Sequence, residues 1–250
     1  MTRTTRWTLG LGTLAAFIWS AWATEVSGRR MVEGMPFMVD FLRRMVPPDL
    51  SVLGNAIRGA IQTLQIAVVG TVAAAILALP IGFAAARNAA PRWLFYWTRS
   101  VLNVFRAVDT LVYALFFVAA VGLGPFPGVL AVVVYTATVL AKLYSEAIEA
   151  IDPGPVEAVT ASGATRLQVL RWGVLPQLVP QFLSFVLYRF ETNIRAAAIL
   201  GFVGAGGIGF YVQTYLRMHN YPAASSVLLV LVVLVMLVDF ASSRLRARLV

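Results

Sequence analysis

The chain alternates long apolar intervals with shorter polar ones. Apolar runs occupy roughly residues 8–23, 61–86, 100–121, 126–144, 176–198 and 223–240. They lack the strict alternation of a half-buried strand, and most are long enough to cross a bilayer as a helix. The pattern predicts an all-α, polytopic membrane protein with about six spans. The first run is short. Its Ala21-Trp22-Ala23 end fits a signal cleavage site, whereas Trp19 and Trp22 also suit the interface end of an uncleaved anchor. The anchor is preferred, because cleavage patterns of this kind arise often by chance. Pro80 and Gly82 lie inside the second run and predict a kink. Residues 122–127, GLGPFP, read as a tight turn, and residues 199–220 as a Gly-rich connector with a short amphipathic piece.

Two polar intervals stand out. In residues 24–58, Arg29, Arg30, Arg43, Arg44 and Arg58 face Glu25, Glu33, Asp40 and Asp49, and Pro47-Pro48 breaks the segment. Phe37, Phe41, Leu42 and Met45 recur at helical spacing, which fits a helix lying on the bilayer surface, and a solvated loop fits as well. Residues 1–58 therefore form an N-terminal anchor and outer segment, and residues 59–250 the transmembrane core. Residues 146–180 are the one long interval that is both polar and well punctuated. A short helix should open at Pro155, where a missing N–H costs nothing, behind Gly154 or Asp152 as cap. Glu157 suits the dipole of its first turn, and Gly163 suits a left-handed stop. Ala158, Ala161 and Ser162 give it a face of small side chains. Thr165-Arg-Leu-Gln168 is a capping box for a second short helix, expected to end before Gly173. Pro176 then opens the next apolar run. A capped insert of this kind between spans reads as a docking element for a soluble partner.

Composition narrows the function classes. The 250 residues are 60% hydrophobic and 12% charged, with mean hydropathy +0.81, against about 45–50% and about 25% for a soluble domain. The net charge of +9 comes from 19 Arg and one Lys, most of them beside apolar runs, so it reports topology rather than nucleic acid. Arg3 and Arg6, then Arg87, Arg92 and Arg99 without an acid, then Arg244, Arg246 and Arg248, place both termini and the 146–180 insert in the cytoplasm. The five Arg of 24–58 on the outer side are the weak point of that count. There is no Cys and a single His, His219, which excludes disulfides, thiolate chemistry and a His-based metal cluster. No G-x-x-x-x-G-K-[ST] string is present, so ATP must bind elsewhere.

Glu157-Ala-Val, Gly163 and Leu175-Pro176 match in spacing the cytoplasmic motif of ABC importer permeases, E-A-A, three residues, G, nine residues, I, x, L-P. Val159 replaces the second Ala, and Gly173 stands where Ile is usual. The stretch from EAIEAIDPG to GAGGIG and the segment LALPIGFAAARN resemble phosphonate permeases in particular. The resemblance covers most of residues 55–240. It implies a methionine-permease-like core in the cytoplasmic (inner) membrane. It implies coupling helices at about 146–176, in which Glu157, Ala158, Val159, Ala161, Ser162, Gly163, Leu175 and Pro176 meet an ATP-binding subunit. It further implies an extracytoplasmic substrate-binding protein, a second permease copy, and ATP with Mg on the partner rather than on this chain, which needs no cofactor of its own.

Charges inside spans are costly and usually functional. Arg106 and Asp109 are three apart. Glu191 and Arg195 are four apart, as are Arg189 and Asn193 on another face. Each acid–base pair can neutralise itself, which is the blander reading of both. Arg189 has no acid on its face, and its fork suits phosphorus oxyanions, which makes it the best single candidate for the translocation path. The string Gly204-Ala-Gly206-Gly207-Ile-Gly209 contains G-x-G-x-x-G, but no βαβ unit surrounds it and the next acid is Asp239. A flexible connector, packing helices closely or forming an outer gate, replaces the dinucleotide reading. The function expected is import of phosphonate or a related phosphorus oxyanion. The alternatives are a permease for methionine or an organic anion, and a secondary transporter, which would not explain the insert. An intramembrane enzyme would lack the residues for a catalytic centre.

Overall fold

The computed structural model describes residues 3–246; Arg248, used above for topology, lies outside them. Among the described residues every regular element is helical. Residues up to Val46 form one compact unit and residues from Pro47 a second.

The first unit holds α1 (Arg3–Ala23) and α2 (Gly28–Arg44). Within α1 the described apolar stretch is Gly12–Ala23. Within residues 24–58 the stretch Gly28–Arg44 is helical. Ser27 caps α2 by accepting the Arg30 N–H at 3.4 Å. Arg29–Glu33 at 2.7 Å and Arg44–Asp40 at 2.8 Å brace it at i,i+4 spacing, each a contribution of about 0.3–0.5 kcal/mol at an exposed helix surface.

The second unit begins before residue 58 for a physical reason. The Asp49 N–H donates to the Pro222 carbonyl at 3.1 Å, and the Ser226 hydroxyl donates to the Asp49 carbonyl at 2.7 Å. These bonds tie the lead into α3 (Leu53–Ala84) to the start of the last helix. The 32 residues of α3 are about 48 Å long, more than the ~30 Å hydrocarbon core. Apart from Ile66, its buried stripe is small: Ala56, Ala60, Thr63, Ala67, Ala74 and Ala78 among them. Small side chains let helices approach where lipid supplies no hydrophobic drive. At Gly70 a Cβ would lie 2.5 Å from Val132, and at Gly82 it would lie 2.8 Å from Tyr144 Cβ. Both contacts are with α6 (Pro125–Glu149), which packs along α3 as the central pair.

The run at 100–121 is not one helix. α4 (Arg92–Arg106) and α5 (Thr110–Val121) meet at a bend of 82°. Asp109 causes it: its carboxylate accepts the Leu111 N–H at 2.8 Å as the N-cap of α5, and the Tyr113 hydroxyl fastens the corner by donating to the Phe105 carbonyl at 2.7 Å. The insert follows α6 as α7 (Pro153–Ala161) and α8 (Arg166–Val169). Then come α9 (Leu175–Leu200), α10 (Ile208–Arg217) and α11 (Tyr221–Arg246). Among the described residues four helical stretches are long and apolar enough to cross a membrane, those of α3, α6, α9 and α11, or five if the bent α4–α5 pair is one span. Of the sixth expected run, at residues 8–23, the side chains of residues 8, 9 and 11 lie outside the described ones, and the described apolar stretch is Gly12–Ala23.

Candidate functional site

The insert is a rigid joint rather than a loop. Asp152 caps α7, accepting the Gly154 N–H at 2.9 Å, so the helix opens two residues earlier than Pro155. The Asp152 N–H in turn donates to Gln177 Oε1 at 3.1 Å, and Gln177 Nε2 donates to the Gly173 carbonyl at 2.8 Å. Gln177 thus welds the start of α7 to the base of α9. Gly163 has φ +80°, the left-handed value that releases the chain from α7. Beyond it the Thr165 N–H donates to Gln168 Oε1 at 2.7 Å. The second helix does not end before Gly173. It continues through a π turn, Leu170–Val174, into α9. Gly173 serves packing instead: a Cβ there would sit 3.1 Å from Val156 Cα of α7.

This architecture leaves Glu157, Ala158, Ala161, Ser162 and Gly163 exposed and Val159 half-buried. A cleft of about 460 Å³ lies between Val159, Ser162, Gly163, Ala164, Gln168 and Trp172. Leu167 and Trp172 beside it are 78% and 64% exposed. Leu175 and Pro176 sit at the start of α9, both exposed. A small-residue shelf rimmed by bare apolar side chains is the form of an unfilled protein contact. The insert is anchored to the ends of the other helices. Arg99 Nη2 contacts Glu149 Oε1 at 3.0 Å, Arg99 Nε donates to the Ala85 carbonyl at 3.1 Å, and the Arg87 N–H donates to Glu149 Oε1 at 2.6 Å. The α3 exit, α4 and the α6 exit therefore share one base.

A second cluster lies near the middle of the helices. Asn193 of α9 is buried between α3 and α6. Its Nδ2 donates to Thr71 Oγ1 at 2.8 Å, and its Oδ1 accepts from Thr136 Oγ1 at 3.0 Å. Arg189, one turn earlier and 7% exposed, donates from Nη2 to the same Oδ1 at 3.3 Å. Its guanidinium stands 5.4 Å from the Tyr135 ring centroid, a cation–π contact. Arg189 Nε is buried with no hydrogen-bond partner among the described residues. A cation at this depth normally pairs with a carboxylate. Here it finds one amide oxygen, one ring face and no acid. The Thr136 hydroxyl is spent on Asn193 Oδ1 and one Asn193 amide hydrogen on Thr71 Oγ1, which leaves the Thr71 hydroxyl and the second amide hydrogen as donors beside it.

The other intramembrane charges sort differently. Glu191 accepts from Arg195 Nη2 at 2.6 Å and from Arg246 Nη2 at 2.7 Å, and Arg195 also meets Asp239 at 3.0 Å. This network clips α9 to α11 and neutralises itself, the blander of the two readings. Arg106 and Asp109 do not share a helix face, because the chain breaks between them, and Asp109 is occupied as a cap. The Gly-rich connector is closely packed against α3, α6 and α9. Gly206 packs on Pro125, with a Cβ position 2.9 Å from its Cα, and Gly209 packs on the Ala198 carbonyl. The Gly207 and Ile208 N–H groups donate to Gln62 Oε1 and Thr63 Oγ1 of α3, both at 2.8 Å. Gly204 accepts the Gly124 N–H at 2.9 Å. Thr71, Tyr135 and Thr136 were not among the sequence-level candidates, since single polar residues inside apolar runs carry no periodic signal.

Residues 78–250 match the family described as binding-protein-dependent transport system inner membrane component. The phosphite transport system permease protein PtxC of Stutzerimonas stutzeri is 43% identical over 217 residues, which is 86% of this chain and 79% of that protein. The phosphate-import permease protein PhnE of Mycolicibacterium smegmatis is 40% identical over 221 residues, 88% of this chain and 42% of that longer protein. Among solved structures, an inward-facing form of the MetNI methionine ABC transporter superposes with TM-score 0.70 at 24% identity, over 81% of this chain and 99% of that one. That likeness establishes the fold.

Proposed function

The chain belongs to the family of binding-protein-dependent transport system inner membrane components, and from that premise we propose that it is the permease subunit of an ATP-driven importer for phosphonate, phosphite or a related phosphorus oxyanion. The observation that carries the substrate class is Arg189: a buried guanidinium with no carboxylate, beside the amide and hydroxyls that Asn193, Thr71 and Thr136 hold in place. An arriving oxyanion supplies the missing charge, and its oxygens match the guanidinium fork. The named cargo of the relatives at about 40% identity, phosphite and phosphate, has the same chemistry.

In this reading the insert and both termini face the cytoplasm. α7 docks in an ATP-binding subunit that carries the ATP and Mg, while this chain binds no cofactor. A binding protein delivers cargo from the other side, and a second copy of the permease closes the path. Closure of the ATPase pair pushes α7, and the Gln177–Asp152–Gly173 joint passes the push to α9, which bears Arg189. The Gly204–Gly209 connector serves as a packed outer corner rather than a hinge. The same permease fold also serves methionine in MetNI, so cargo has to be measured. Proteoliposomes holding the full assembly should show ATP-dependent uptake of a phosphorus oxyanion from a panel of phosphonate, phosphite, phosphate and methionine. Uptake of methionine alone would reject the substrate class, and uptake without ATP would reject the importer.

A further inference from the structure

A second feature of the membrane region has no part in the path described above. α3, α4 and α6 enclose a groove of about 490 Å³. One wall is a stripe of α4 running from Leu94 through Trp97 and Val101 to Phe105, and the others carry Ala84 and Pro80 of α3 and Ala137 of α6. The lining is almost wholly apolar.

Its dimensions restrict what fills it. From Leu94 to Phe105 the stripe spans about 16 Å along α4, which matches one leaflet's half of the hydrocarbon core, about 15 Å. A single hydrocarbon chain from one leaflet therefore fits along α4.

The two ends of the groove differ. Ala84 and Leu94 mark the end nearest the insert, and there the chain carries Arg87 and Arg92, three and two residues away, both exposed. Neither side chain forms an ion pair among the described residues, whereas Arg99 is held by Glu149. Along the chain no acid lies between Asp49 and Asp109, and Glu149, which accepts the Arg87 N–H, is neutralised by Arg99. Trp93, Tyr96 and Trp97 are exposed on the same half of α4, as in an interfacial aromatic belt.

We propose that this groove is a binding site for an anionic phospholipid, one acyl chain lying along α4 and the headgroup phosphate held by Arg87 and Arg92. The lipid wedges α4 against α3 and α6 beside the bend at Asp109, in the leaflet on the insert's side.

The test is native mass spectrometry of the purified assembly in micelles doped with phosphatidylglycerol or phosphatidylcholine. The wild-type protein should retain phosphatidylglycerol preferentially. Arg87→Ala with Arg92→Ala should lower that preference about thirtyfold, from about fivefold for each basic residue near an anionic surface. Ala84→Phe, at the groove mouth, should remove both lipids. Because the chain has no Cys, a Val101→Cys variant adds an independent readout. It should react with an apolar maleimide, and phosphatidylglycerol should slow the reaction. Unchanged preference in the double Arg variant, or wild-type lipid retention in Ala84→Phe, overturns the proposal. So does a Val101→Cys thiol that stays unreactive in lipid-free detergent, since a protein surface would then cover the groove.

Discussion

Replacing Arg189 by alanine is expected to lower ATP-driven oxyanion uptake by about 100-fold or more, the scale of truncating one partner of a buried charge pair, while the assembly still forms and still hydrolyses ATP. The side chain is 7% exposed, and among the described residues it hydrogen-bonds Asn193, faces the Tyr135 ring and forms no ion pair, so its removal leaves no buried acid unpaired. Arg189→Lys keeps the charge but loses the planar fork, and uptake should fall less than in the alanine variant. Asn193→Asp separates cargo binding from a structural role. It places a carboxylate within reach of the guanidinium and satisfies it internally. A purely structural arginine would tolerate that change. An arginine that waits for an anion would lose its vacancy, and uptake should collapse in a protein at least as stable as the wild type. Uptake measured beside thermal unfolding of each variant checks both halves.

Replacing Ala158 by tryptophan is expected to leave the permease folded and to cost it its ATPase. Ala158 is exposed on α7, and α7 has no fully buried residue. Nothing within the chain opposes a larger side chain there. A bulky group forced into a fitted contact costs about 2–3 kcal/mol, or roughly 30- to 150-fold in affinity. Co-purification of the ATP-binding subunit should be lost while the isolated permease keeps its melting temperature. Glu157→Gln, a change of charge without bulk, should weaken association far less. Normal co-purification of the Ala158→Trp variant would remove α7 from the interface.

The parts of this molecule that were legible in the chain are those written in local pattern. Apolar runs mark the spans because lipid forces each one to satisfy its backbone internally. Caps mark the insert because Asp152, Gly163 and Thr165 act within a few residues of themselves. Arg189 and Asn193 could be paired because they lie one helical turn apart. What escaped was either long-range or hidden by composition. Thr71 and Thr136 reach Asn193 across 122 and 57 residues, and Arg246 reaches Glu191 across 55. The bend between α4 and α5 did have a local signal, Asp109 before Thr110 and Leu111, but it lay inside an apolar run and read as a charge in a span. The glycines after Leu200 suggested freedom, and the structure uses them for contact, because a residue without a side chain serves both ends equally. Gly173 misled in the same way, looking like a helix stop when it is the notch in which α7 crosses.

The central claim is that cargo completes the charge of Arg189. The most direct test is the distance from the phosphorus of bound cargo to the guanidinium nitrogens of Arg189, by rotational-echo NMR on a cargo-loaded, trapped assembly. The account predicts about 4 Å, as follows from N–H···O bonds of roughly 2.8 Å. A phosphorus outside dipolar range of Arg189, with the guanidinium paired to a carboxylate of the second permease copy, would contradict it.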